Sequence, residues 1–411
     1  MPHTNHTYRR NLILNLVAHL GPISRSSLIS ISDLRPASVS DLIRELQEEG
    51  LIRLSTTAGA RGRGRSMLEL NHKNLCAIGI SFSGSSATFV VVQIDGHILQ
   101  RDTLPLPSGL SREEFVTQVT MRVQQLIGGY HCKRLIGIGI AEPLYDPTLY
   151  RIDQPLLSSY LHFNDWIHLD LTPKLESITG LSVRSFSPVA LPAMAELRFG
   201  SAQGAQNFLC IELSNGIGAS ICCNGTVVTG AKGIAGELGH TVIDHTAAHS
   251  KLCYCGKPGC VERSTGFPAL VSKLKTAMDE GVFTLLRSRC ENDKITVSDI
   301  RFALDSGDRL CLHYTKELAQ RLGVAISNAV NLLNPELIVL YGFMVDLGDQ
   351  FLLPLEQAIR DNTISLANDF EIRISSAMES ILPMGAAAEL FSLYLKTEDY
   401  NWIYQLRPED L

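Results

Sequence analysis

The sequence predicts an α/β protein in which a small helical head with a two-stranded wing precedes a body of two α/β lobes. Three observations predict it. Residues 1–70 contain three short stretches with helical apolar spacing and then two strand-like runs. Behind them a strand–loop–strand unit occurs twice, at 76–99 and at 208–228, each time leading into further helical and strand patterns. Charge is also divided. Nine arginines against six acids (Asp33, Asp41, Glu45, Glu48, Glu49, Glu69) give the head a net +3, and the rest of the 411 residues, with 27 basic and 36 acidic groups, is −9.

At 45% hydrophobic and 19% charged, the chain is composed like an ordinary globular protein with room for two or three cored domains, which excludes a mainly disordered one. MPHTNHTYRR leads into an amphipathic LILNLVAHL without a long apolar signal region, and no run of roughly 18 apolar residues follows, so a cytoplasmic location is expected. That compartment keeps thiols reduced, which makes metal binding the more natural use of clustered cysteines. A net charge of −6 argues against a general nucleic-acid binder. A basic head on an acidic body is the asymmetry expected when one module alone meets phosphate.

In the head, Ile13, Leu16, Val17 and Leu20 form one helical face ending at Gly21-Pro22. Ser24 suits the cap of a short second helix containing Leu28. Pro36 suits the first position of a third, whose face is Val39, Leu42, Ile43 and Leu46 and which stops at Gly50. LIRLS and SMLEL then pair across TTAGARGRGR as a wing. This is a winged helix-turn-helix pattern, with the third helix as reader of a major groove in double-stranded DNA. Ser38, Ser40, Asp41, Arg44 and Glu45 stand on its outward face, and Ser38, Ser40 and Arg44 are the expected contacts. In the wing, Arg61, Arg63 and Arg65 alternate with glycine, an arrangement that suits entry into a narrow minor groove; a basic loop that touches phosphates without selectivity is the other reading.

The duplicated units, CAIGISFSGSSATFVVVQIDGHIL and FLCIELSNGIGASICCNGTVV, each run strand, Ser/Gly loop, strand and then a hairpin signal, Asp95-Gly96 or Asn224-Gly225. The order of wing, duplicated hairpins, GIAGELGH (233–240), CYCGKPGCVE (253–262) and NLLNPELIVLYG (331–342) resembles the ROK family (repressor/ORF/kinase), which comprises sugar kinases and sugar-responsive repressors on an actin-like fold. With its head and a wing ending in Arg-Gly-Arg, the chain is most similar to the repressor branch. The expected division is 1–70 for the winged head, 71–190 (completed by 381–411) for the first lobe, and 191–380 for the second lobe with a structural zinc site and an oligomerisation surface. The resemblance implies a cleft between lobes that holds a sugar or sugar phosphate.

Three cysteines within eight residues raise three possibilities: disulfide, redox pair or metal site. His240 precedes Cys253, Cys255 and Cys260 as H-x12-C-x-C-x4-C, one imidazole and three thiolates that match a tetrahedral Zn²⁺ site. Four protein ligands leave no open position, so such a zinc is structural. His245 and His249 are nearby substitutes for His240, although the family motif favours His240. By resemblance Glu237, His240 and Glu262 line the sugar site, where ionised carboxylates accept hydrogen bonds from hydroxyls.

Sugar kinases of the family carry an Asn-Asp pair that supplies a sugar contact and the base, eight residues ahead of a glutamate. Aligned on Glu196, Ser187-Pro188 stands there, and proline moves no proton. The first phosphate loop, Asp-x-Gly-Gly-Thr in the kinases, reads Ser81-Phe82-Ser83-Gly84-Ser85; the second, Gly-Thr-Gly-x-Gly, reads Ser214-Asn215-Gly216-Ile217-Gly218. The expectation is a non-enzymatic regulator, most simply a repressor of carbohydrate genes. It would bind a palindromic operator as a homodimer or homotetramer, under the control of a sugar, a sugar phosphate or a sugar-transporter protein. A sugar kinase with an appended head is the competing reading.

Overall fold

The computed structural model describes residues 6–57, 65–83, 86–107, 110–129, 134–142, 171–243, 252–253, 255–290, 294–377, 380–395 and 403. The chain forms two compact units, one of Met1–Ala141, His168–Phe186 and Ala386–Leu411, the other of Glu142–Ile167 and Ser187–Gly385.

The first unit begins with three helices, α1 (His6–Leu20), α2 (Arg25–Ser32) and α3 (Pro36–Glu48). Ile13, Leu16, Val17 and Leu20 are all buried, as are Val39, Leu42, Ile43 and Leu46; each such side chain removed from water contributes about 1.5–3 kcal/mol. The Ser24 hydroxyl accepts the Ser27 amide at 3.0 Å and so starts α2. Burial on α1 is wider than the predicted face, because Leu12, Leu14, Asn11 and Asn15 are covered too. Asn15 is satisfied there by donating to the carbonyls of Asn11 (2.8 Å) and Leu395 (2.6 Å). The wing strands β1 (Ile52–Thr57) and β2 (Arg65–Leu70) pair antiparallel, with Ile52 opposite Leu70 and Leu54 opposite Leu68.

A five-stranded sheet follows, in the order β5-β4-β3-β6-β7: β3 (Leu75–Ser83), β4 (Ser86–Gln93), β5 (Ile98–Pro105), β6 (Arg134–Ala141) and β7 (Val183–Phe186). β3, β4 and β5 are antiparallel, whereas β6 and β7 run parallel to β3. Leu75–Ile80 of β3 are buried on both faces, which is why this strand is continuously apolar. α4 (Arg112–Gly128) starts at a reciprocal cap between Ser111 and Glu114, and α5 (Leu171–Thr179) leads into β7. Cys76 is disulfide-bonded, contrary to the expectation of reduced thiols; the other described cysteines are free.

The second unit repeats this plan. Its sheet order is β10-β9-β8-β11-β12, from β8 (Phe208–Leu213), β9 (Ile217–Cys223), β10 (Thr226–Val228), β11 (Leu337–Tyr341) and β12 (Glu371–Ile374). Again three antiparallel strands precede two parallel ones. Asn224 (φ 52°) and Gly225 (φ 71°) are both left-handed, the backbone that a two-residue hairpin with the right twist requires. Around the sheet lie α6 (Leu191–Phe199), α7 (Val261–Thr265), α8 (Phe267–Asp279), α9 (Val297–Asp305), α10 (Arg309–Leu333) and α11 (Asp349–Asn362). The apolar faces of α7 to α11 meet β8 and β11 in a core that includes Ile211, Leu322, Ile326, Ile338 and Phe351. The last helix, α12 (Ile381–Leu395), belongs to the second unit up to Gly385 and to the first from Ala386.

Candidate functional site

The GELGH segment is laid against β9. Ala219 donates its amide to the Gly236 carbonyl at 2.9 Å, and a Cβ at Gly236 (φ +98°) would come within 1.8 Å of the Ala219 carbonyl oxygen, so no other residue fits. A short 3-10 turn, Leu238–His240, then presents His240. The Cys260 segment lies alongside, with Val261 donating to Thr241 at 2.9 Å and Ile243 to Gly259 at 3.2 Å. The loop between the cysteines closes through Cys253, whose amide donates to Lys257 at 3.0 Å and whose carbonyl accepts from Gly256 at 2.9 Å.

These contacts gather His240, Cys253, Cys255 and Cys260 so that their ligand atoms all lie within 4.8 Å of one another. His240 Nδ1 is 3.6 Å from Cys253 Sγ, and the sulfurs of Cys255 and Cys260 are 3.5 Å apart. Tetrahedral Zn–S and Zn–N bonds demand ligand separations of about 3.5–3.8 Å, so the cluster fits such an ion. Cys253 and Cys260 are buried, and Cys255 is exposed. Burial pushes the Cys253 thiol up, and burial together with the neighbouring thiols pushes Cys260 well up. Three thiolates this close therefore need a cation among them. Burial lowers His240, against the opposing pull of Glu237, which favours the neutral imidazole a metal takes. Nε2, the other ring nitrogen, is 3.6 Å from Glu237 Oε2, the position of a carboxylate that orients a ligating histidine.

Glu237 is half-buried, its carboxyl pushed up by burial, with His240 opposing and Glu262 adding to the rise. Glu262, in the first turn of α7, accepts the Ile217 amide on Oε2 at 3.1 Å. Beside it is Glu212, a group that no motif in the sequence marks. Glu212 on β8 accepts the Ser214 hydroxyl at 2.5 Å and the Tyr341 hydroxyl at 3.3 Å, and burial raises it with the charge of Glu262. Its signal in the sequence was a lone acid inside the apolar run FLCIEL. Ser187 donates to the Gly233 carbonyl at 3.0 Å, tying the Ser-Pro pair to the loop that leads into GELGH. Glu196 is fully buried and accepts the Ser201 amide (2.6 Å) and the Ser375 hydroxyl.

In the head, Ser38, Ser40 and Arg44 all lie on α3. The Ser40 hydroxyl donates to the Pro36 carbonyl at 2.9 Å, and Arg44 is exposed beside Asp41 at 3.2 Å. Glu45 does not face outward with them as expected, because it pairs with His6 (3.0 Å) and Arg10 (3.1 Å) of α1. Arg65 opens β2 opposite Thr57. Arg61, Arg63, His245 and His249 lie outside the described residues.

A three-helix head with a two-stranded wing, joined to a duplicated α/β body that carries a His-Cys₃ cluster, defines a regulator-type chain built on a sugar-kinase-like body. The model of the ROK family matches residues 77–389, and the chain belongs to that family. It is 28% identical to the DNA-binding transcriptional dual regulator NagC of Escherichia coli strain K12 over 349 residues, 83% of this chain and 82% of that protein. It is 25% identical to the xylose repressor of Caldicellulosiruptor bescii over 405 residues, 96% and 99% of the two chains. A crystal structure of a ROK family transcriptional regulator, a homolog of the E. coli MLC protein, superposes with TM-score 0.79 at 26% identity, covering 98% of this chain and all (100%) of that one. A glucokinase of Halalkalibacterium halodurans is 29% identical but reaches only 73% of this chain.

Proposed function

We propose that this protein is a zinc-containing transcriptional repressor of carbohydrate genes, with a winged head that binds operator DNA and a non-catalytic body that receives the controlling signal. The observation that carries this reading is the extent of the likeness: repressors match the chain through its head, and a kinase of similar identity does not. In this reading residues 1–70 are the DNA-binding domain, 71–190 with 381–411 the first lobe, and 191–380 the second. Ser38, Ser40 and Arg44 meet base edges and phosphates from α3, and Arg61, Arg63 and Arg65 reach from the wing. Two heads of a homodimer or homotetramer meet a palindromic operator in the cytoplasm.

His240, Cys253, Cys255 and Cys260 hold one structural Zn²⁺ per chain, whose positive charge stabilises the three thiolates. Glu237, His240 and Glu262 line the site of a sugar or sugar phosphate, the two carboxylates accepting from its hydroxyls and the His240 Nε2–H donating. Without the family's Asn-Asp pair that grip is weakened, which makes a sugar-transporter protein the competing source of the signal. The test is a retardation assay on operator fragments enriched from a random duplex pool, with salt as the variable. Affinity falling steeply with salt, and restored specificity ranking among fragments, is expected. Protein that retards no fragment at low salt overturns the reading. For the metal, elemental analysis of protein purified without chelator gives close to one zinc per chain, and Cys260→Ser loses it together with thermal stability; zinc-free protein with three titratable thiols would reject the site.

A further inference from the structure

Among the described residues, the C-terminal end of α3 is pinned to the body at two consecutive positions. Glu49 accepts from Arg10 of α1 (2.6 Å) and from Arg134 at the start of β6 (3.1 Å), both on Oε2. The Gly50 carbonyl, next in the chain, accepts from Asn74 Nδ2 at 2.8 Å, just ahead of β3. Arg134 in turn lies over the ring of Tyr394 at 5.8 Å, near the end of α12. At the adjacent residue, the Leu395 carbonyl takes the buried Asn15 of α1 at 2.6 Å. Two helices of the head are thus tied to the turn before β3, to β6 and to α12 within one compact unit.

We infer that Glu49 and Arg134 are positioning residues for operator recognition: they hold the reader helix at a set angle to the body and thereby set the half-site spacing that an oligomer accepts. This rests on the DNA-binding reading above. The physical basis is geometric. Each base pair added between half-sites rotates the second by about 34° and moves it about 3.4 Å, so heads fixed to their bodies accept few spacings while heads on a loose tether accept many. The ion pair is partly exposed, with side-chain accessibilities of 45% for Arg134 and 31% for Glu49, and such pairs contribute little to stability. Their use is therefore orientation. Arg10 continues to hold Glu49 when Arg134 is removed, so the head itself stays folded.

The experiment uses the full-length protein and a duplex pool of two randomised half-sites separated by spacers of different lengths. Wild type is expected to enrich a narrow set of spacers, with loss of at least about tenfold one or two base pairs away, the size of one lost base contact. Glu49→Gln and Arg134→Ala should flatten that profile to within about threefold while enriching the same half-site sequence. Arg134→Lys should restore much of the narrowness, and Glu48→Gln, the same charge change one residue earlier, should leave it intact. A narrow wild-type profile that both variants retain, or enrichment of single half-sites, overturns the clamp alone. Wild type that enriches no duplex overturns the DNA-binding reading and the clamp with it.

Discussion

Asp308 shows how a single carboxylate can organise a large part of the second unit. It is the N-cap of α10, the 25-residue helix against which α11 packs, and its Oδ1 accepts the Cys311 amide at 2.9 Å. Oδ2 accepts the Leu285 amide (2.7 Å) and the Thr284 hydroxyl (2.9 Å), so one side chain also fixes the start of the short turn Leu285–Ser288 ahead of α9. Burial works against its ionisation, but those donors outweigh it and hold the carboxyl below its usual value. Its contribution to stability is therefore whole above about pH 4 and is lost as pH falls through the depressed folded value. Asp308→Ala should destabilise by about 2–3 kcal/mol at neutral pH, since a cap and two further charge-assisted bonds go at once. Asp308→Asn should lose less, because asparagine caps well, and should flatten the acid limb. Chemical denaturation from pH 3 to pH 7 measures both; an alanine variant as stable as wild type at pH 7 would contradict this account.

At the scale of elements, local chemistry made the head and the hairpins legible and left their attachments hidden. The Ser24 cap of α2, Pro36 at the start of α3, the apolar spacing of α1 and α3 and the Asn224-Gly225 turn are each signals within a few residues of one another. The metal cluster was legible too, because three of its four groups lie within one short loop. By contrast, Asn15 meets Leu395 across 380 positions and Glu49 meets Arg134 across 85, and periodicity carries nothing about such pairs. The same blindness misplaced Glu45, which shares α3 with Arg44 yet turns to Arg10. Arg44 itself is exposed and pairs with the equally exposed Asp41, a pair of little energetic worth. Freed from Asp41 on binding, a guanidinium on a reader helix suits a base edge. Arg44→Ala should then cost about 1–3 kcal/mol on the best operator and relax preference at one or two positions. A phosphate contact would weaken all sequences alike and lower the salt slope by about 0.9. Titrations of two operators at four salt concentrations separate these, and a uniform loss would remove Arg44 from the base-reading set.

The whole molecule repeats one five-stranded plan in two units, with a strand order that is the same in both sheets, and this is the body on which the family's kinases are also built. On the non-catalytic reading proposed above, the chain departs from them at Ser187-Pro188 and at both phosphate loops, and the second loop is the one whose surroundings bear on nucleotide binding. The Ile217 amide, which sits in that loop, is already accepted by Glu262, and Glu212 lies beside it with its own bonds to Ser214 and Tyr341. A nucleotide phosphate entering here would have to displace one carboxylate and approach another, where Coulomb repulsion opposes it. Phosphoryl transfer depends mainly on holding the γ-phosphate in line and neutralising its charge, so on that reading a carboxylate restored at one position would not supply the rest. Pro188→Asp should therefore leave the protein without ATP-dependent phosphorylation of any hexose in a panel. The added carboxylate can still accept sugar hydroxyls, so calorimetry should show unchanged or tighter sugar binding in the variant, depending on how far Glu237 and Glu262 repel it. Turnover in the variant would mean that the two nucleotide loops remain serviceable, and turnover in the wild type would make the body an enzyme with a head attached.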